Sequence, residues 1–195
     1  MNDLLAVALQ VTDALDRCGI RYTIGGSLAS SFSGEPRASI DVDIVLDLTE
    51  DGVDAFVTAL GQDFYADADS LRRAARDHST VNLIHHASGV KVDLFVAGSP
   101  LEARQLERRL RAQVGWAPDR FVYMHSPEDI LLQKLEWFRR GGEVSDRQWR
   151  DVLSILIVQR RRLDEAYLRS VAIECELTEL LDRARRDAED DRRPT

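Results

Sequence analysis

Two aspartates, Asp41 and Asp43, are two residues apart within the alternating run I-D-V-D-I-V-L-D-L of residues 40–48. This alternation is typical of a β-strand with one buried face, so both carboxylates leave the opposite face, with their α-carbons roughly 6.5 Å apart. Such a pair can bind divalent cations, and hard oxygen ligands suit Mg²⁺ or Mn²⁺. Two metal ions about 3.5 to 4 Å apart commonly assist in-line phosphoryl or nucleotidyl displacement. The pair therefore indicates metal-assisted phosphate chemistry.

A third carboxylate, which such a site normally has, is available at Asp93 in the run V-K-V-D-L-F-V. Its neighbours Val92 and Leu94 would point to the buried face of a strand, so Asp93 would point away from that face. If this strand lies beside the strand of Asp41 and Asp43, the three side chains share one face of the sheet. We therefore expect these three aspartates to be the metal ligands.

A glycine turn, Gly25-Gly26-Ser27, precedes the paired aspartates in the chain. Glycine lets the backbone turn sharply and approach a ligand without a side chain in the way. Ser27 then opens a helix whose free amide groups and dipole favour an anion, although an ordinary helix cap would look the same in sequence. The turn and the carboxylates together predict a seat for a nucleoside triphosphate.

The elements that would position these groups alternate between helices and strands up to residue 125. Hydrophobic periodicity and turn residues predict helices over 3–18, 28–32, 50–60, 68–77 and 100–109. They predict strands over 21–24, 40–48, 80–85, 90–96, 110–114 and 120–124, with 80–85 and 90–96 forming a hairpin. From the cap Ser126-Pro127-Glu128-Asp129 onward the signals are only helical, with further helices over 145–160, 164–174 and 176–188.

This pattern predicts an α/β (α+β) fold. We expect a core over residues 1–125 in which helices flank a mixed β-sheet, a helical subdomain over 126–190 packed on that core, and a frayed tail over 191–195. Hydrophobic residues make up 44% of the chain and charged residues 31%, which excludes wholesale disorder and fibrous folds.

Charge, cysteines and targeting signals narrow the class of protein further. The net charge of −8 argues against a protein whose main task is to coat a polyanion. Cys18 and Cys175 have neither zinc-site nor disulfide-framework spacing, which favours a reducing cytoplasm. The apolar run Leu4–Leu9 is too short for a membrane span and lacks the basic segment that precedes a signal peptide. We therefore expect a cytoplasmic protein with no membrane partner.

Three motifs of this chain resemble, in type, order and spacing, the signature of the nucleotidyltransferase superfamily typified by DNA polymerase β. They are Gly26-Ser27, Asp41-Val42-Asp43 and Asp93. Gly25-Gly26-Ser27 followed by Arg37-Ala38-Ser39-Ile40-Asp41 looks like the small bacterial branch that includes toxins of the AbiEii kind. The resemblance implies the nucleotidyltransferase fold, an NTP bound over the turn with Arg37 and Ser39, and release of pyrophosphate. It also implies that Asp93 is the base.

The resemblance continues into the helical end. Lys134 and the later run Arg147-Gln148-Trp149-Arg150-Asp151 are similar to that branch's lysine and Arg-Asp motif, which implies catalytic roles for Lys134 and Asp151, with Lys134 on the γ-phosphate. The branch often has a second aspartate three residues after the first, where this chain has Ser154. The alternatives are a lysine that extends to water and a surface ladder of ion pairs around Asp151.

The sequence is compatible with several kinds of acceptor. The AbiEii-like residues imply tRNA as acceptor and a cognate antitoxin or partner protein, and three arginine clusters leave room for RNA: Arg108-Arg109-Arg111, Arg139-Arg140 and Arg160-Arg161-Arg162. The net charge favours a small molecule or a protein as acceptor instead. A further alternative is a non-catalytic, nucleotide-binding or antitoxin-like module. Against it, an idle site has no physical reason to keep three mutually repelling carboxylates.

Overall fold

The computed structural model describes residues 3–35, 41–114 and 120–190. The helices in these residues are α1 (Asp3–Arg17), α2 (Gly26–Ser33), α3 (Val53–Leu60), α4 (Ala68–Asp77), α5 (Pro100–Glu107), α6 (Pro127–Arg140), α7 (Asp146–Gln159), α8 (Glu165–Glu174) and α9 (Thr178–Asp190). The strands are β1 (Tyr22–Ile24), β2 (Asp41–Leu46), β3 (Phe64–Tyr65), β4 (Thr80–His85), β5 (Lys91–Val96), β6 (Leu110–Gln113) and β7 (Phe121–Met124). No helix of this described part is long and apolar enough to cross a membrane.

The strands form one mixed sheet in the order β3-β4-β5-β2-β1-β7-β6. Strand β2 runs parallel to β5, and β1 runs parallel to β7. The other neighbouring pairs are antiparallel. The amino ends of β2 and β5 therefore lie side by side, next to the carboxyl end of β1.

The hydrophobic core fixes which face of each central strand is buried. Val42 and Ile44 of β2, and Val92 and Leu94 of β5, are fully buried in a cluster that also contains apolar residues of α1, α3 and α4. Full burial of one such aliphatic side chain contributes about 1.5–3 kcal/mol. A slip of one residue would exchange these side chains for the carboxylates, so the register is strongly specified.

Two compact units can be distinguished by the density of internal contacts. The first contains described residues 3–28, 41–114 and 120–125, and the second contains 29–35 and 126–190. In the second unit, α6 is capped by Ser126, whose hydroxyl accepts from the amide of Asp129. The division into a core domain and a helical subdomain stays a prediction, and its predicted tail over 191–195 lies outside the described residues.

The predicted α/β architecture with a mixed sheet and flanking helices is confirmed. Strand β3 was not predicted, because two residues carry no periodicity and its strand character comes only from pairing with β4. The last helix begins at Thr178 rather than at residue 176, because Glu176 has a left-handed backbone with φ of 57°. That conformation separates α8 from α9.

Candidate active site

The three predicted metal ligands lie on one face of two neighbouring strands. Asp43 of β2 is in register with Asp93 of β5, and Asp41 is in register with Lys91. Their neighbours along each strand point into the core, so these four side chains leave the opposite face. Asp93 is buried at 8% exposure, whereas Asp41 and Asp43 are half-buried. The face carries three negative charges and one positive charge.

Two residues that sequence reasoning missed hold the carboxylate of Asp93. The ammonium of Lys91 lies 2.8 Å from Oδ2 of Asp93. The amide of Asn82, on β4, donates to Oδ1 at 2.6 Å. The hydrogen bond to Asp93 raises the pKa of Lys91 above its ordinary value, and the nearby charges of Asp93, Asp41 and Asp43 raise it further, while burial opposes them. All three carboxylates therefore act on this one ammonium.

A compositional signal could have pointed to Lys91. Only two of the 26 basic residues are lysines, Lys91 and Lys134. Both form an ion pair with an aspartate that the sequence had marked for chemistry, Asp93 and Asp151 respectively. The other 24 of these basic residues are arginines, so lysine occurs only at two positions that form an ion pair with an aspartate. Lysine acts there as a compact point charge.

The glycine turn, Gly25-Gly26-Ser27, lies in direct contact with Asp43. The amide of Gly25 donates to the backbone oxygen of Asp43 at 2.9 Å. Gly26 has φ of 57°, and a Cβ added there would overlap Oδ2 of Asp43. Ser27 follows in the first turn of α2 and is buried at 8% exposure. Glycine at position 26 is therefore required both by the left-handed backbone and by the approach of the carboxylate.

His125 supports the backbone behind this turn. It follows β7, and its amide donates to the backbone oxygen of Ile24 at 2.9 Å. Its Nδ1 lies 2.9 Å from the hydroxyl of Thr23. The ring is 2% exposed, and its Nε2 has no hydrogen-bond partner among the described residues. Burial lowers the pKa of His125 to about 3, so the imidazole is neutral at neutral pH.

We expect His125 to make the protein less stable in mild acid. Its pKa is lowered on folding, so below about pH 6.5 the unfolded chain binds a proton that the folded chain does not. This loss begins as the pH falls below about 6.5 and reaches about 2 kcal/mol at pH 5. Urea unfolding of wild type and His125→Asn between pH 5 and 8 should show a flatter pH dependence in the variant.

The exposed His86 provides the control for this measurement. His86→Asn should keep the pH dependence of wild type, because His86 lies at the surface and folding does not bury it. Equal slopes for wild type and His125→Asn would show that His125 is not the group responsible.

Lys134 and Asp151 meet inside the helical unit. The ammonium of Lys134 on α6 lies 2.9 Å from Oδ2 of Asp151 on α7, and their side chains are 1% and 6% exposed. The ammonium also lies 5.6 Å from the ring centre of Trp137. Their burial contradicts the two alternatives, a lysine extended to water and a surface ladder. The predicted catalytic roles of the pair stay predictions.

Ser154 is the one of three further compared positions that the structure describes. The other two, Arg37 and Ser39, lie outside the described residues. Ser154, which stands where the similar branch often has an aspartate, accepts a hydrogen bond from the amide of Glu35. A Cβ added at Gly34 would overlap the Ser154 hydroxyl. A longer, charged side chain at position 154 would therefore displace this close contact.

The donor chemistry of the aspartate face fits a divalent cation. Within residues 3–35, 41–114 and 120–190, no three His, Cys, Asp or Glu side chains are arranged as a ready metal site. The three aspartates nevertheless share one face, and their charges already attract the ammonium of Lys91. Carboxylate oxygens of this kind are the ligands that Mg²⁺ and Mn²⁺ prefer. Binding would require one oxygen of Asp93 to exchange its partner.

Comparison with known proteins bears on the fold. No protein-family model matches the sequence, and no curated protein matches it significantly. An antigenic nucleotidyltransferase-like protein from Paracoccidioides brasiliensis has a similar structure, with a TM-score of 0.56, 18% identity, and 94% of this chain and 92% of that chain covered. The antibiotic-resistance factor ANT(2'')-Ia is also similar, with a TM-score of 0.50, 17% identity, and 96% and 94% covered. The chain therefore has the fold of the nucleotidyltransferase-like proteins.

Proposed function

We propose that this protein is a metal-dependent nucleotidyltransferase that moves a nucleoside monophosphate from an NTP to an acceptor and releases pyrophosphate. The observation that carries this proposal is the register of β2 and β5, which puts Asp43 beside Asp93 with Asp41 on the same face. The nucleotidyltransferase fold and the glycine turn against Asp43 support it. A triphosphate beside carboxylates needs a cation between them, which this donor set suits.

In this proposal Asp41, Asp43 and Asp93 hold Mg²⁺ or Mn²⁺. Ions held there would supply neutralisation of phosphate charge and activation of the attacking oxygen. Because Gly26 has no side chain, the Asp43 carboxylate can lie directly beside the turn. The amides at the start of α2, around Ser27, are the expected seat of the triphosphate, because a helix N-terminus favours an anion.

The reaction proceeds by in-line displacement at the α-phosphorus. The acceptor oxygen forms a bond to this phosphorus while the bond to the bridging oxygen of the leaving pyrophosphate breaks. The acceptor proton passes to Asp93. The resemblance adds two further elements to the proposal. It assigns phosphate contacts to Arg37 and Ser39. It also assigns the γ-phosphate contact to Lys134, with Asp151 as its partner in catalysis.

The direct test is incubation with each of the four NTPs, labelled at the α-phosphate, together with a total cellular extract. We expect labelling of an acceptor that depends on Mg²⁺ or Mn²⁺ and is lost with EDTA. Absence of labelling with all four NTPs contradicts the proposal. Calorimetry that finds nucleotide binding without pyrophosphate release would favour the non-catalytic module instead.

Gly26→Ala should lower this activity by at least about 100-fold, because displacing a catalytic carboxylate by about 1 Å has effects of that size. The left-handed backbone adds about 1 kcal/mol of strain. Gly19→Ala is the matched control, because Gly19 also has positive φ, at 67°, but an added Cβ there contacts nothing within 4 Å.

Gly19→Ala should therefore lose only the stability that backbone strain costs, whereas Gly26→Ala should lose at least as much in thermal unfolding, and only Gly26→Ala should lose activity. If the two variants lose activity equally, the approach of Gly26 to Asp43 has no role in catalysis.

For the acceptor we propose tRNA first, supported by the AbiEii-like residues, with toxin activity and an antitoxin partner. A cationic small molecule is the second candidate. It is supported by the net charge of −8 and by the contacts that arginines of these clusters make within the protein. The guanidinium of Arg111 lies 3.7 Å from the ring centre of Phe121. Arg139 and Arg140 both bind Glu136. These arginines are partly engaged within the protein, which weakens a basic RNA surface.

Induction in cells together with sequencing of tRNA 3′ ends separates the two acceptors. Growth arrest with extended tRNA 3′ ends would support tRNA. Normal growth, unchanged tRNA ends and labelling of a polyamine or amino sugar would support the cationic small molecule.

A further inference from the structure

Lys91 is half exposed, yet its ammonium is bound to a carboxylate of the proposed metal site. Its side chain is 49% exposed, and Nζ lies 2.8 Å from Oδ2 of Asp93. Across the sheet it is in register with Asp41, two residues before the pair of Asp43 and Asp93 and on the same face. The positive charge of Lys91 thus lies among three negative ones in this row of facing residues.

The two oxygens of Asp93 are held in different ways. Oδ1 accepts from the amide of Asn82, a neutral group on the neighbouring strand β4. Oδ2 binds Lys91, a charged group on a flexible, solvent-exposed stem. A divalent cation repels the ammonium and attracts Oδ2, whereas it does not compete for the Asn82 contact in the same way. Oδ2 is therefore the oxygen that becomes available to a metal ion.

The choice of lysine is consistent with a contact that must be released. Arginine would bind the carboxylate through a rigid, bidentate fork, whereas lysine binds as a mobile point charge. The chain has arginine or histidine at every other basic position except the buried Lys134.

We propose that Lys91 is a positioning residue that holds Asp93 on the shared face and competes with the divalent cation for Oδ2. This inference rests on the proposed function, because it assumes that the three aspartates bind the metal. Metal binding then moves Lys91 off Asp93 while Asn82 keeps the carboxylate oriented.

The test is calorimetric titration of the full chain with Mn²⁺ alone, at fixed pH and low salt. We expect Lys91→Met to bind Mn²⁺ about fivefold more tightly than wild type, the size of one partly exposed ion pair. Lys91→Arg keeps the competing charge and should bind equally or more weakly than wild type. Arg76→Met is the charge-matched control, because Arg76 pairs with Glu50 away from this face, and its affinity should be that of wild type.

Thermal unfolding supplies a second readout that is independent of activity. In EDTA, Lys91→Met should melt below wild type because Asp93 loses its ion-pair partner, and Mn²⁺ should raise its melting temperature more than that of wild type. Mn²⁺ affinity of Lys91→Met that is equal to or weaker than wild type overturns the inference alone. If neither wild type nor any variant binds Mn²⁺, the proposed function fails with it.

Discussion

Asp43→Asn is expected to reduce nucleotidyl transfer at least about 1000-fold while the protein stays folded. Asp43 is the central carboxylate of the site, in register with Asp93 and in contact with the glycine turn. An amide is a weak metal ligand and cannot balance the charge of the cations that neutralise the phosphates. The measurement is the rate of transfer from labelled NTP with saturating Mg²⁺.

The stability of the same variant should not fall. Removing one of three like charges from a shared face relieves repulsion, so unfolding in EDTA should occur at the wild-type temperature or above it. Asp47→Asn is the matched control, because Asp47 directly follows β2 and is an even number of residues from Asp43. Its carboxylate is 47% exposed and pairs with Arg21 at 2.6 Å. It should keep its activity. Activity of Asp43→Asn within tenfold of wild type would contradict the proposed site.

Asp151→Asn is expected to destabilise the protein by about 3–5 kcal/mol, because it leaves the charge of Lys134 buried without its counter-ion. Urea unfolding measures this loss. The double variant Lys134→Met with Asp151→Leu should recover most of the stability, since neither charge is then buried.

An exposed ion pair of the same unit is the control. Glu143→Gln breaks a contact with Arg183 whose side chains are about half exposed, at 45% and 46%, and should change stability by less than about 1 kcal/mol. The double variant also tests catalysis. If it folds and transfers nucleotide at the wild-type rate, the catalytic roles predicted for Lys134 and Asp151 are wrong and the pair is structural.

Much of the fold was predictable because its signals are local. The alternation of residues 40–48 predicted both the strand β2 and the face that its aspartates occupy. The cap at Ser126 with Pro127 predicted the start of α6, and the structure shows the corresponding hydrogen bond to the amide of Asp129. Each signal is carried by residues within about one helical turn or a few strand positions of one another.

The partners of the site residues were not predictable in this way. Lys91 is a neighbour of Asp93 on β5, but its place beside Asp41 depends on the register of β2 and β5. The contact of Asn82 with Asp93 depends on the register of β4 and β5, and the contact of Gly26 with Asp43 depends on how β1 meets β2. Sequence patterns predict where the strands lie in the chain, but they do not predict which residues of different strands pair.

The sequence by itself determined which residues were candidates for chemistry: the three aspartates, the glycine turn and Lys134 with Asp151. Only the tertiary structure decided that Lys91 pairs with Asp93 within the aspartate face and that Lys134 is buried with Asp151 rather than exposed. The physical reason is that periodicity and capping energies act between near neighbours, whereas the burial and pairing of a charge depend on the segments that fold over it.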